Sequence, residues 1–273
     1  MIISTLQRLK VSLFFSIMII CPTACAAVPL PEPGFPTKSF VQIINDINIK
    51  KCKEKTPCVV GKFASTGSGG VIGYHAGAVI VLTAKHVCLP NFPAGVKGMI
   101  LDYQATLQVR FWDDQYFNGE VLNVSTHPRL DLCAITIRRN KVPHARFSRV
   151  APRTGDKIYS LSAPAGVWHP PAVPILSGIH SGNIPGTPNT LITIPAMGGS
   201  SGSIVLNKDK KIIGVIFAAV VGFHHIGQMS NYTETRAFIQ ESLRKARIKS
   251  RVLQSLPDDV LPLLSLPRGA GPK

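Results

Sequence analysis

Three short segments of the sequence carry residue types that could together perform nucleophilic catalysis. Segment 82–88 (LTAKHVC) places His86 just after an apolar run, and segment 127–135 (HPRLDLCAI) places Asp131 at the entry to another. Segment 197–203 (MGGSSGS) places Ser201 in a glycine-rich loop. A serine hydroxyl is a weak nucleophile unless an imidazole takes its proton, and a carboxylate orients that imidazole. The segments therefore predict Ser201 as nucleophile, His86 as general base and Asp131 as orienting carboxylate.

The glycines around Ser201 predict a second catalytic device. Attack on an amide carbonyl places negative charge on its oxygen, and backbone N–H groups can stabilise that charge. A loop with few side chains lets those amides approach closely. We therefore expect the N–H groups of Gly199 and Ser201 to form an oxyanion hole.

Each of these segments alone has an ordinary structural explanation. A histidine after a strand commonly packs, an aspartate before a strand commonly caps, and a Gly-Ser run is commonly a flexible turn. The three together, in the chain order His, Asp, Ser, are far more specific. That order is the one found in chymotrypsin, and it differs from the orders in subtilisin and in the α/β-hydrolases.

The elements that must position these residues read as β-strands. Between about residue 38 and residue 230, short apolar runs are bounded by Gly, Pro, Asn and Asp, which is typical of an all-β protein. Segments 71–75 and 78–83 predict a hairpin. A half-buried strand over 107–112 turns at Asp113 and Asp114 and returns over 119–124. Segment 132–137 predicts a further strand.

The second half of the chain contains one more predicted hairpin and one helix. Segments 203–206 and 211–217 flank a four-residue turn, whereas 169–188 is so rich in Pro and Gly that it predicts mostly loop. A helix is expected over 233–249, capped by Thr233 or Ser230, with cations crowding its C-terminal end. In the tail, 250–273, four prolines predict an extended strap or disorder rather than a long helix.

The first 26 residues have the pattern of a signal peptide. Arg8 and Lys10 precede the apolar run 11–21, and small residues at 24–26 allow cleavage after Ala26. An apolar run this short falls below the roughly 20 residues of a membrane span, so we expect export without a stable span, the alternative being an uncleaved tether. A Pro-rich arm, 27–37, follows. The sequence therefore predicts a secreted or periplasmic protein.

The chain is strongly basic. Its 273 residues include 30 Lys and Arg against 14 Asp and Glu, and 45% are hydrophobic, which excludes a disordered chain. Removing the leader lowers the net charge from +16 to +14. Such a charge favours association with an anionic surface or polymer, although a solvated basic face is the alternative. Without basic-aromatic interleaving or zinc-finger spacing, nucleic acid is disfavoured as the main partner.

Four cysteines remain after removal of the leader. Cys52 and Cys58 are the preferred bridge and would close a Lys-rich loop before the first strand, while Cys88 and Cys133 are either paired or free buried thiols. The adjacent pair His224 and His225 does not predict a metal site, because neighbouring side chains on an extended chain point to opposite faces. No metal and no cofactor are expected.

Several further segments extend the match to one family. They are 67–72 (GSGGVI), 155–158 (GDKI), 163–166 (APAG) and 212–215 (IIGV), in addition to the three described above. From about residue 67 to residue 249 the chain resembles the trypsin-like, chymotrypsin-fold serine peptidases, nearest to HtrA-like and glutamyl-endopeptidase-like enzymes. The resemblance implies an all-β fold of two perpendicular six-stranded antiparallel β-barrels with a C-terminal helix. The first barrel would span 38–145 and the second 146–232, with no PDZ domain.

The chain also departs from parts of this family. Ser200 stands where vertebrate trypsins carry an Asp that pairs with a freed amino terminus, so that style of activation is not expected. Pro195 and Ile216 stand where trypsins and glutamyl endopeptidases, respectively, carry charge-reading residues. We therefore predict cleavage after apolar or small residues, with Ile216, Phe217 and Ala218 also on the pocket wall.

Taken together, the sequence predicts a secreted serine endopeptidase that acts on protein or peptide substrates through an acyl-enzyme. The rival hypothesis is a catalytically inactive peptidase-like module that binds an anionic surface. A third is a processing peptidase encoded by a virus or phage.

Overall fold

Strands dominate the computed structural model, which describes residues 34–254 except 55, 91, 93 and 221. Twelve strands in this part of the chain form two closed antiparallel barrels of six strands each, as the sequence predicts. The first barrel contains β1 (Phe40–Cys52), β2 (Gly61–His75), β3 (Ala78–Thr83), β4 (Ile100–Phe111), β5 (Tyr116–Val124) and β6 (Cys133–Arg138). Its strands are arranged in the order β1-β2-β3-β6-β5-β4.

The second barrel has its six strands in the order β10-β11-β12-β9-β8-β7. They are β7 (Lys157–Leu161), β8 (Ile175–Asn183), β9 (Asn189–Ile192), β10 (Ile204–Leu206), β11 (Ile212–Val220) and β12 (Phe223–Ser230). Two short helices, α1 (Lys85–Cys88) and α2 (Ala94–Lys97), lie in the first half of the chain. A long helix, α3 (Tyr232–Gln254), follows β12.

The C-terminal helix differs from the prediction at both ends. Its first turn is capped by Asn231, whose side-chain oxygen accepts the N–H of Glu234 at 2.9 Å, and not by Thr233 or Ser230. It continues to Gln254, so the start of the predicted tail is helical despite the prolines that follow. The remainder of the tail, 255–273, lies outside the described residues, as does the predicted signal peptide. No helix in the described part of the chain is long and apolar enough to cross a membrane.

Strand β3 is apolar from Ala78 to Leu82 because both of its faces are buried. Val79 and Val81 point into the interior of the first barrel. Ile80 and Leu82 point to the opposite side, into a separate cluster that also contains Ile204 of the second barrel and residues of α3. Since side chains alternate along a strand, this single run supplies both the barrel core and the packing between the barrels.

Two of the predictions about loops are wrong. The segment 40–52 forms the long strand β1, so the Lys-rich loop closed by Cys52 and Cys58 lies between β1 and β2 and not before the first strand. The segment 169–188, predicted as mostly loop, contains β8. Gly178 in β8 is required by packing, because a Cβ there would lie 2.7 Å from the backbone of Thr193.

Candidate active site

Strand register brings His86 and Asp131 together. Strands β3 and β6 are antiparallel neighbours, and their last pair is Thr83 opposite Cys133. His86 lies three residues after the end of β3, and Asp131 lies two residues before the start of β6. The two residues therefore emerge at the same edge of the first barrel, although they are 45 positions apart in the sequence.

The contact between the two side chains is short and doubled. Nδ1 of His86 lies 2.5 Å from Oδ2 of Asp131, and the backbone N–H of His86 donates to Oδ1 at 3.0 Å. Burial alone would raise the pKa of Asp131, but the hydrogen bonds and charge of His86 and the N–H of Lys85 hold this pKa below its usual value. Asp131 is thus an ionised carboxylate that fixes the orientation of the imidazole.

A disulfide reinforces this pair. Cys88 lies two residues after His86, Cys133 lies two residues after Asp131, and their sulfur atoms are bonded. Cys88 and Cys133 are therefore paired and are not free thiols. The preferred bridge between Cys52 and Cys58 is also present. Because both sides of the His86–Asp131 contact are anchored, neither α1 nor the start of β6 can shift independently of the other.

The nucleophile loop is shaped by glycines. Gly199 has φ +88° and Gly202 has φ +89°, both in the left-handed region that disfavours other residues. A Cβ on Gly202 would lie 2.0 Å from the carbonyl oxygen of Ser68 and 2.1 Å from Oγ1 of Thr83. The N–H of Gly202 donates to the carbonyl of Ile216 at 2.7 Å. Ser201 is therefore held between two residues that must be glycine.

The hydroxyl of Ser201 donates to the carbonyl oxygen of Phe217 at 3.5 Å. In this conformation it makes no hydrogen bond to His86. Gly67 of β2 lies near both segments: a Cβ on it would lie 2.6 Å from Cγ1 of Val87, the residue after His86, and 3.1 Å from the carbonyl oxygen of Ser201. Catalytic hydrogen bonds are commonly long or misaligned in free enzymes and tighten with substrate bound.

The peptide between Gly198 and Gly199 has a defined orientation. The N–H of Ala165 donates to the carbonyl of Gly198 at 2.7 Å. Because the C=O and N–H of a trans peptide point in opposite directions, the N–H of Gly199 points away from Ala165. A Cβ on Gly199 would lie 2.4 Å from the carbonyl oxygen of Ala163. The loop at 163–166 therefore sets the direction of one amide predicted to form the oxyanion hole.

Ser68 on β2 is a positioning residue that the sequence analysis did not single out. Its N–H donates to the carbonyl of Ser201 at 2.7 Å, and its hydroxyl donates to the carbonyl of Gly199 at 2.8 Å. The same hydroxyl accepts the N–H of Ala163 at 3.1 Å. This fully buried serine of the first barrel thus joins both parts of the second barrel that shape the nucleophile loop. The only sequence signal was its place in the segment GSGGVI.

A cavity of about 370 Å³ opens beside Ser201. Its lining includes Ile216 and Ala218, two of the four predicted pocket residues, whereas Pro195 and Phe217 do not line it. The described residues of its wall are mostly small or apolar: Ala196, Met197, Gly198, Ser200, Ser201, Ile216, Ala218, Ala219, Val220, Gly222 and His224. His224, for which the sequence predicted no metal-binding role, lies in β12 and lines this cavity.

Within the described ranges, no group of three or more His, Cys, Asp or Glu side chains could hold a metal ion. The imidazole of His86, the carboxylate of Asp131, the hydroxyl of Ser201 and the backbone amides of the nucleophile loop are groups that can move protons and stabilise charge. This is the chemistry of acyl transfer by a serine nucleophile.

Comparisons with known proteins agree with this geometry. A family model described as a trypsin-like peptidase domain matches residues 67–215. Among solved structures, the fold is similar to that of Rv3671c from M. tuberculosis H37Rv, solved as an inactive serine-to-alanine mutant. The two chains share 17% identity over 76% of this chain and 87% of the other, with a TM-score of 0.51.

A second similar structure is the HtrA-type protease AlgW, solved with a decapeptide. It shares 17% identity over 76% of this chain and 65% of its own, with a TM-score of 0.56. This chain therefore spans slightly less than two thirds of the AlgW chain. At these identities the two structures establish the fold alone. A comparison with the curated proteins finds no match.

Proposed function

Because the chain belongs to the trypsin-like peptidase family, we propose that it is a secreted serine endopeptidase that hydrolyses peptide bonds through an acyl-enzyme. Ser201 is the nucleophile, His86 the general base and then general acid, and Asp131 the orienting carboxylate. The observation that carries this proposal is the doubled contact between His86 and Asp131 at the barrel edge next to the Ser201 loop.

In the proposed mechanism, the Ser201 hydroxyl turns from the Phe217 carbonyl towards the imidazole when substrate enters. Nε2 of His86 takes the hydroxyl proton as Oγ attacks the substrate carbonyl carbon, and Asp131 stabilises the imidazolium. The imidazolium then gives its proton to the leaving amine as the peptide C–N bond breaks. A water molecule, activated by the same imidazole, hydrolyses the resulting ester and regenerates Ser201.

The negative charge that develops on the substrate oxygen is stabilised by the N–H groups of Gly199 and Ser201. The bond from Ala165 to Gly198 supports this role, because it turns the Gly199 N–H away from the 163–166 loop. Loss of one such donor typically lowers turnover by about 100-fold to 1000-fold.

The substrate preference that we propose is for apolar or small residues on the acyl side of the cleaved bond. The cavity beside Ser201 supports this, because its described lining includes Ala196, Ile216 and Ala218 and no carboxylate. A peptide library cleaved mainly after Arg, Lys or Glu would contradict the preference while leaving the catalytic proposal intact. Cleavage after Glu in particular would assign an anion-binding role to His224.

Export to an oxidising compartment is the final part of the proposal. Two disulfides, Cys52–Cys58 and Cys88–Cys133, support it, since such bonds persist mainly outside the reducing cytosol. Determination of the mature amino terminus by mass spectrometry would test cleavage after Ala26.

Labelling with a fluorophosphonate probe tests the catalytic proposal. We expect the wild-type protein to be labelled and Ser201→Ala to lose the label completely. Ser203→Ala is a matched control, because Ser203 lies in the same loop and its hydroxyl is buried without a hydrogen-bond partner. His86→Ala should slow labelling strongly. Folded wild-type protein that is neither labelled nor active on a casein substrate would overturn the proposal and support the inactive binding module.

A further inference from the structure

One end of the first barrel has an unusual surface. Strands β1, β2 and β4 extend there, the disulfide Cys52–Cys58 bridges the end of β1 to the segment that precedes β2, and the N–H of Lys53 donates to the carbonyl of Met99 at 2.8 Å. We call the described residues of 47–63 and 97–104 the distal end. Gly67, beside Ser201, is four residues along β2 from Phe63, which separates the two by about 13 Å.

Large apolar side chains are exposed together at the distal end. Strand register places Phe63 opposite Ile47 and Tyr103 opposite Ile49, so all four side chains share one face of the sheet. The isoleucines are buried, but Phe63 and Tyr103 are about half exposed. The exposed fractions of the large apolar residues at this end are 64% for Val59, 58% for Val60, 47% for Phe63, 52% for Leu101 and 46% for Tyr103.

Lysines surround this apolar surface. Five exposed lysines belong to the distal end, namely Lys50, Lys51, Lys53, Lys62 and Lys97. None of these five forms a salt bridge with another described residue. Glu54 and Asp102 are the exposed, described acidic side chains of this end, and exposed Asp46 lies next to it in the same groove as Lys62 and Phe63. The surface therefore combines an excess of positive charge with exposed apolar groups.

We propose that the distal end docks the protein on a lipid membrane that contains anionic headgroups. Val59 and Val60, with the aromatic rings behind them, would enter the headgroup and acyl boundary. The lysines would contact the anionic headgroups, with their apolar stems lying along the same surface. A protein partner fits this surface less well, because lysine is depleted from protein interfaces whereas tyrosine and lysine are common at membrane surfaces.

The rigid construction of the distal end supports this role. Val59 and Val60 lie between Cys58, which is disulfide-bonded, and Gly61 at the start of β2, so both ends of their segment are anchored and little conformational entropy is lost when the surface docks. Since the distal end lies along β2 from the nucleophile, a docked molecule would keep its catalytic cavity away from the lipid. The docking proposal does not depend on the catalytic proposal, because none of its residues contacts Ser201 or His86.

Vesicle sedimentation tests the proposal. The purified protein, with its amino terminus defined by mass spectrometry, is mixed with vesicles of phosphatidylcholine alone or with added phosphatidylglycerol. We expect binding that requires phosphatidylglycerol and weakens with salt, because each lysine near an anionic surface contributes about fivefold to the partition coefficient. Equal binding to both vesicles, or none to either, would overturn the proposal.

Matched variants assign the binding to the distal end. Lys62→Glu should lower the partition coefficient about tenfold or more, whereas Lys208→Glu, an equal charge change on an exposed lysine of the second barrel, should lower it less than about twofold. Val60→Asp should weaken binding about tenfold, whereas Val150→Asp, at a residue 68% exposed elsewhere, should not. Equal effects within either pair would assign the binding to net charge or to another surface and would refute the docking site. Unchanged circular dichroism and an unchanged thermal unfolding midpoint verify that each variant is folded, whatever the outcome of the labelling experiment.

Discussion

The two halves of the candidate active site are held in different ways. In the first barrel, His86 and Asp131 are positioned by a side-chain contact between two adjacent strands and by the disulfide Cys88–Cys133. In the second barrel, Ser201 is positioned by backbone hydrogen bonds and by the lack of side chains at Gly199 and Gly202.

The difference follows from the groups with which each half acts, which are side chains in the first barrel and backbone N–H groups in the second. An acid–base pair acts through side chains, so covalent and hydrogen-bonding anchors near those side chains are sufficient. An oxyanion hole acts through backbone N–H groups, so the backbone itself must take one conformation and other groups must approach it closely. The second half should therefore be the more sensitive to single added atoms, and the first half the more sensitive to loss of a cross-link.

The largest expected effect is from Gly202→Ala. The added Cβ would overlap the carbonyl oxygen of Ser68, and φ +89° disfavours alanine, so we expect fluorophosphonate labelling to fall about 1000-fold or the protein to unfold. Gly155→Ala is the control, because Gly155 has φ +92° but open space around it. It should cost only about 1 kcal/mol of stability, with labelling unchanged. A Gly202→Ala protein that is labelled normally would break the comparison.

A smaller loss is expected from Ser68→Ala. Removal of this hydroxyl leaves the carbonyl of Gly199 and the N–H of Ala163 without their partner, so we expect kcat to fall about 10-fold to 100-fold with KM little changed. Ser160→Ala is the matched control, because Ser160 is also fully buried and its hydroxyl has no hydrogen-bond partner. Steady-state kinetics on a chromogenic peptide measure both parameters. Equal kcat values for the two variants would contradict a positioning role for Ser68.

Removal of each disulfide tests how strongly the first barrel depends on its cross-links. Replacing both Cys88 and Cys133 by Ser opens a loop of 45 residues and should lower the free energy of unfolding by about 3–4 kcal/mol. It should also lower kcat about 10-fold by loosening the His86–Asp131 pair. The equivalent change at Cys52 and Cys58 opens a loop of only six residues and should cost about 2 kcal/mol without changing kcat. Denaturant titration and kinetics measure both effects, and a similar kcat for the two double variants would argue against the anchoring role.

The smallest expected effect concerns pH and the second barrel. Burial lowers the pKa of His180 below its usual 6.5, although the charge of Asp156 opposes this shift. The unfolded chain therefore binds a proton more readily, so the stability contributed by the neutral histidine is present above pH 6.5 and is lost as pH falls below that value. Urea titrations across this range should show a shallower pH dependence for His180→Gln than for the wild type. Identical slopes would show that His180 is not responsible.

The sequence did not predict β1, β7, β8, β9 and β12, and for β1 and β8 the reason is a tertiary contact that takes the place of an apolar side chain. Strand β1 alternates Val41, Ile43, Ile47 and Ile49 on its buried face, but Asn45 interrupts the series. Asn45 is buried because its amide donates to the carbonyl of Val87 at 3.4 Å, a partner that the local sequence does not reveal. Strand β8 was missed because a close backbone approach requires Gly178, and glycine in a local pattern indicates a loop.

The candidate site was also predictable only in part. The residues His86, Asp131 and Ser201 could be proposed because the residue types and their order along the chain can be read directly from the sequence. The role of Ser68 and the orientation of the Gly198–Gly199 peptide could not be predicted, because both depend on contacts between separate segments of the chain. The hydrogen bonds of Ser68, for example, join residues 131 and 95 positions apart. His224 reaches the cavity beside Ala196, whose N–H donates to the carbonyl of His224 at 2.9 Å, a contact that the local sequence does not reveal.

By itself, the sequence determined the strand-forming pattern, the order of the three candidate catalytic residues and the glycines of the nucleophile loop, because these depend on local chemistry and spacing. Only the tertiary structure decided the pairing of Cys88 with Cys133, the conformation of the Ser201 hydroxyl and the grouping of valines, aromatic rings and lysines at the distal end. Barrel closure sets these features, since it brings distant strands into register and selects which side chains meet.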